Sequence, residues 1–204
     1  MAAKRKRKTR RSPRKEAPDG TGLLALELQE IHSAESQLMR NLPRMIKAAE
    51  SEDLQQMLEL RMKQGSRLLK EVDTALKELD GVGRGRKKNV AAEGLINDVR
   101  EHMQEIEHGP ALDAALIAAM QKTEHYCIAA WGTAKSLAQA TGERTVVQSM
   151  ERALKEGKTL DEDLTELAEK EITPALLESM DEDEISMQGR RQARSGRGAP
   201  ERLM

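Results

Sequence analysis

Along this chain, apolar residues return at steps of three and four over long stretches, the period of an α-helix with one buried face. From Leu24 the line runs through Leu28, Ile31, position 35, Leu38, Leu42 and Met45, with Pro43 inside it as a point of kinking. Ser51, followed by Glu52 and Asp53, has the character of an N-cap. The helix after it turns Leu54, Leu58, Met62, Gly65, Leu69, Val72, Leu76 and Leu79 inward. "DGVGRGRKK" breaks the pattern, Asn89 caps a shorter helix to about Glu107, and "HGP" closes that one. Pro110 suits the first turn of an alanine-rich helix to about Thr141, which stops at Gly142. The last long helix spans about Glu143 to Ile172 through Val147, Met150, Leu154, Gly157, position 161, Leu164 and Ala168. Thr173-Pro174 then leaves room for at most a short terminal helix. The pattern predicts an all-α chain: an up-down four-helix bundle with a shorter extra helix in the connection between the second and third long helices.

Composition supports this reading. The chain has no Phe, one Tyr, one Trp and one Cys, too little aromatic and β-branched material for a sheet. The Tyr, Trp and Cys all fall in "KTEHYCIAAWG", residues 122–132. A single cysteine excludes an intramolecular disulfide and suits a reducing compartment. No apolar run reaches the length of a membrane span, and the basic start lacks the apolar core of a secretory signal, so a cytoplasmic protein without membrane contact is expected.

Charge is sorted along the chain. Residues 1–15 hold nine Lys or Arg and no acid, and residues 189–204 hold five Arg against one Glu. The stretch between them is acidic. Neither end has the apolar residues to offset the entropy of ordering, which predicts a disordered basic tail over 1–20, a bundle over 21–175, and an acidic then Arg/Gly-rich tail over 176–204. Lys4, Arg5, Lys6, Arg7, Lys8, Arg10 and Arg11 are candidates for non-specific contact with nucleic-acid phosphates, and no aromatic interleaves them for base stacking.

Position 35 is Glu and position 161 is Asp, both on otherwise apolar lines, and Glu124 lies one residue from the line of its own helix. A carboxylate facing a bundle interior needs a partner, a proton or a cation. Di-iron bundles supply Glu from two helices and Glu-x-x-His from two more. No long helix here carries Glu-x-x-His; Glu105 and His108 have that spacing at the frayed end of the short helix, and Glu124-x-x-Cys127 is the nearest analogue elsewhere. "RMKQGSRLLK" on the second helix has neither acid nor His. If Lys63 or Arg61 points inward, it can pair with Glu35 or Glu124 in place of a metal. His32, His102 and His108 read as surface residues, and "GVGRGRKK" lacks the spacing of a phosphate loop.

"IHSAESQL", "AAEGLINDV", "DAALIAAMQKTEHYCIAAWGTAKSLAQATG" and "LDEDLTELAEKEI" resemble the YciE/YciF family of bacterial stress-associated ferritin-like proteins over about residues 22–172. The resemblance implies a ferritin-like bundle, a homodimer, a link to stress and, through the fold, ferroxidase-like chemistry. It implies Glu35, Glu124, His125, Glu156 and Asp161 as metal ligands, for iron or manganese. The departures are equally specific: Cys127 replaces an acid in "EHYCIA", Lys63 stands in "RMKQGS" where the family has an acid, and Gly157 replaces a second acid beside Glu156. Half the ligand set is kept and half is gone. The expectation is an incomplete di-metal site, with metal absent or weakly bound, on a non-catalytic stress protein whose tails bind nucleic acid. The alternative is a ferroxidase or peroxide-consuming di-iron protein that uses the remaining carboxylates.

Overall fold

A computed structural model describes residues 18–79 and 87–180 of the chain. Both basic segments and most of "DGVGRGRKK" therefore lie outside the described residues. Within the described residues every regular element is helical: α1 (Gly20–Ala48), α2 (Glu52–Glu78), α3 (Val90–Glu105), α4 (Pro110–Thr141) and α5 (Arg144–Leu167), followed by a π-helical turn, Ala168–Ile172. No helix among these residues is long and apolar enough to cross a membrane.

The predicted punctuation holds the elements in place. Ser51 and Asn89 cap α2 and α3 by accepting from Leu54 N and Ala92 N, and Pro110 opens α4. Gly142 ends α4 with φ 82°, a left-handed conformation that costs glycine little. Asp113 ties the lower end together: its carboxylate accepts from Glu50 N at 2.9 Å and Ser51 N at 2.8 Å, bracing the α1–α2 turn against the start of α4. Pro43 sits inside α1 without interrupting its buried line, since Leu42 and Met45 on either side are both buried.

Helix α1 packs on α2 and α4, and α5 packs on α4 and α2, so the four long helices form a square with α2 and α4 on a diagonal. Helices α2 and α4 run in the same direction and are joined by a crossover in which α3 lies against α1 and α4. This is the ferritin-like arrangement expected from the sequence. The crossover is pinned at Asn89, which donates from its backbone N to Ser33 Oγ at 2.9 Å and from Nδ2 to Tyr126 OH at 2.6 Å, and accepts from Gln37 Nε2 at its carbonyl.

Two inner lines differ from the predicted ones. On α2 the buried residues are Leu54, Leu58, Arg61, Gly65, Leu68, Val72, Ala75 and Leu79, leaving Met62, Leu69 and Leu76 half-buried. On α5 they are Val146, Met150, Ala153, Gly157, Leu160, Leu164 and Leu167, leaving Val147, Leu154 and Ala168 at the boundary. Each pair of lines shares alternate members and differs by one residue at the others, so spacing alone does not separate them. The helices turn the smaller alternatives, Ala75 and Ala153, inward where neighbours approach closely. Asp161 is consequently beside the inner line, next to Leu160, rather than on it. After α5 the short terminal helix that Thr173-Pro174 left room for is present over residues 173–180, and it follows α5 without a break. The π turn, in which Thr173 N donates to Ala168 O, widens the backbone just before Pro174, whose ring would otherwise crowd the carbonyl one turn back.

Candidate functional site: a guanidinium between two carboxylates

The interior divides into two apolar clusters. One contains Leu38, Leu42, Leu54, Leu58, Leu116, Met120, Leu160 and Leu164. The other contains Leu24, Leu28, Ile31, Leu68, Val72, Cys127, Trp131, Met150 and Ala153. Outside both clusters, and buried, are Glu35 on α1, Arg61 on α2, Glu124 on α4 and Gly157 on α5. Glu35 and Glu124 are 0 % exposed and Arg61 is 2 % exposed.

Arg61 joins the two acids. Its Nη2 donates to Glu35 Oε1 at 2.8 Å and its Nη1 to Glu35 Oε2 at 3.1 Å, a bidentate pair, while Nε donates to Glu124 Oε1. Arg61 Cζ lies over the Trp131 ring, 5.6 Å from its centroid. Burial opposes the charge on Arg61, but Glu35 and Glu124 outweigh it and hold the group protonated beyond the ordinary guanidinium range. Burial pushes the Glu124 carboxyl up, with Arg61 only partly countering it. The Cys127 thiol, pushed well up by burial and then by the same two acids, stays neutral and packs as a small apolar group.

Glycine at two positions makes room for this layer. A Cβ on Gly157 would stand 2.6 Å from Trp131 Cζ3 and 3.0 Å from Glu124 Oε2. One on Gly65 would stand 2.7 Å from Arg61 Nη1 and 2.4 Å from Met39 Cε. Trp131 and the Arg61–Glu124 pair therefore fill the space in front of two bare stretches of backbone.

Of the five residues that the family resemblance suggested as ligands, the structure brings Glu35 and Glu124 together on one guanidinium. The other three are elsewhere. His125 is exposed, with Nε2 3.3 Å from Asp161 Oδ2 at the α4–α5 boundary. Glu156 is half-buried and paired with Arg67 on the α2–α5 seam. Lys63, which stands where the family has an acid, is exposed. Arg61 was named in the sequence only as a conditional partner. Its signal was present, because Leu58, Arg61, Gly65 and Leu68 keep the three-four spacing as well as Leu58, Met62, Gly65 and Leu69 do.

A pair of divalent cations does not fit this residue set. The place between Glu35 and Glu124 is filled by a fixed positive charge bonded to both. Among the described residues, no group of three or more His, Cys, Asp or Glu side chains converges as a metal cage would require.

The model of the family described as a domain of unknown function, DUF892, matches residues 21–177. The chain belongs to this family. Protein YciF of Escherichia coli K12 is 36% identical over 141 residues, which make up 69% of this chain and 85% of that protein. The DUF892 fold is seen in the crystal structure of the E. coli stress protein YciF, at a TM-score of 0.70 and 34% identity over 74% of this chain and 96% of that one. It is seen again in YcfI of Rhodopseudomonas palustris, provisionally described as a structural protein, at a TM-score of 0.68 and 31% identity over the same shares.

Proposed function

We propose that this DUF892 chain is a non-catalytic member of the stress-associated ferritin-like proteins, in which a buried arginine does the structural work that metal ions do in a di-metal bundle. The observation that carries the reading is the Glu35–Arg61–Glu124 clamp. One guanidinium fixes three helices around a common centre, accepts no electrons and offers no open coordination position. A divalent cation approaching either carboxylate meets a positive charge that cannot be discharged at any physiological pH. The provisional description of the R. palustris relative as structural agrees with this, and the E. coli relative's description as a stress protein gives the setting.

In this reading the basic segments provide the contact with other molecules. Nine positive charges within residues 1–15, including Lys4, Arg5, Lys6, Arg7, Lys8, Arg10 and Arg11, suit the phosphates of a nucleic acid without reading its sequence.

Two measurements test the reading. Metal analysis of protein purified without chelator, joined to a ferrous-oxidation assay, is expected to give substoichiometric metal and no turnover. Near-stoichiometric iron with turnover overturns the non-catalytic role. Duplex binding by the full chain and by a 16–188 truncation, compared at two salt concentrations, is expected to show salt-sensitive binding by the full chain alone; equal affinity removes the nucleic-acid role.

A further inference from the structure

Beside the clamp, on the side where α2 faces α5, lies a small cavity of about 10 Å³ bounded by Arg61, Arg67, Glu71, Trp131, Glu156 and Gly157. That is room for one water-sized molecule and no more. Two of its walls carry buried N–H groups with no hydrogen-bond partner: Trp131 Nε1 and Arg67 Nε. Trp131 is 2 % exposed. Arg67 Nε is 3.8 Å from Glu71 Oε1, close enough for an ion pair and too far for a hydrogen bond. Charges of both signs line the cavity, two guanidinium groups and the carboxylates of Glu71 and Glu156. The unmet groups are donors, which selects a ligand that accepts.

We propose that this cavity is a specific site for a single resident water molecule, which accepts from Trp131 Nε1 and Arg67 Nε. The ion pairs of Glu156 with Arg67 and of Arg152 with Glu71 stand on its surface side. A neutral acceptor of this size meets both donors at once, whereas an N–H left unmet inside the protein forfeits the hydrogen bond it would make to water in the unfolded chain. The bound water belongs to the same unit as the clamp, since Trp131 meets the water with its indole N–H and Arg61 with its ring face.

The sole tryptophan makes the site directly readable in solution, because the full chain has one indole Hε1 resonance. Water-selective NOE and ROE spectra of the unmodified protein are expected to show a dipolar cross-peak of opposite sign in the two experiments between that proton and water. The same resonance is expected to stay in place when chloride is replaced by bromide at constant ionic strength. No dipolar cross-peak means a dry cavity and overturns the proposal. A halide-dependent shift means the site takes an anion and overturns it equally. Neither outcome depends on a variant folding, and neither alters the reading of Arg61, which rests on the clamp itself.

Discussion

Removing the guanidinium is the most direct probe of the layer. Arg61→Ala takes the cation away from Glu35 and Glu124, both 0 % exposed in the unmodified protein, since Arg61 is the only basic group hydrogen-bonded to either among the described residues. Breaking a buried ion pair by deleting one partner costs about 3–5 kcal/mol. A domain of this kind holds only about 5–15 kcal/mol in total. With a urea slope of about 2 kcal/mol/M, the midpoint at pH 7 is expected to fall by roughly 1.5–2.5 M, followed by far-UV circular dichroism. The loss is electrostatic, so it is expected to shrink in acid, where the stranded carboxylates take up protons instead of charge. A triple replacement, Glu35→Met with Arg61→Met and Glu124→Leu, is expected to recover most of the lost stability, because the penalty lies in unpaired charge rather than in missing polarity. A cost below about 1 kcal/mol for Arg61→Ala, or a cost that does not change between neutral and acid pH, would refute the clamp as the organiser of the centre.

Other substitutions separate the parts of the site. Gly157→Ala is expected to destabilise by about 1–2 kcal/mol in thermal unfolding, because the new methyl overlaps the confined Trp131 ring by more than its helix propensity returns. Gly65→Ala is also expected to destabilise, since its methyl would meet Arg61 Nη1, which the clamp holds in place, as well as the flexible Met39, whereas Gly132→Ala, which meets nothing within 4 Å, is expected to stabilise; the reverse order would refute the packing argument. Burial raises the Glu124 carboxyl above its ordinary value of 4.5, so the native state holds that proton more tightly than the unfolded chain does. Its contribution to stability therefore declines as pH rises through the folded value, and Glu124→Gln is expected to flatten that part of the stability–pH curve. Arg61→Glu brings three carboxylates to one centre, and its melting temperature is expected to rise on adding Mn²⁺ while that of the unmodified protein does not move.

The number, order and limits of the helices were legible in the sequence because they are set locally, by Ser51, Asn89, Pro110 and Gly142 and by a three-four spacing that needs no tertiary information. What was not legible was rotation about a helix axis. On α2 and α5 two lines of equal spacing run side by side, and hydrophobicity favours Met62 over Arg61 and Leu154 over Ala153. The choice is made by the facing helices. Two carboxylates arriving from α1 and α4 make Arg61 the favourable residue at the centre, and Trp131 leaves room for Gly157 but not for a side chain there. For the same reason Asp161 looked internal: it belongs to the line that the helix turned away. The short helix at Pro174 was legible, but its joining to α5 without a break was not, because the π turn that accommodates the proline has no local sequence signal.

The choice of Arg over Lys at the centre follows from shape. Glu35 and Glu124 reach the middle from adjacent corners of the square, and a cation that holds both must present donors in two directions at once. A guanidinium does so in a plane, giving Nη1 and Nη2 to Glu35 and Nε to Glu124, while its charge lies over the Trp131 ring. An ammonium could satisfy one carboxylate well, and its charge would be easier to lose on burial. Lys63, two residues along, projects to solvent instead. Bundles that hold metal at this level need acids on all sides of a small, dense charge. Here one planar cation spans the same gap, so the layer needs only two acids, and the fourth helix can bring a glycine close enough to seal it.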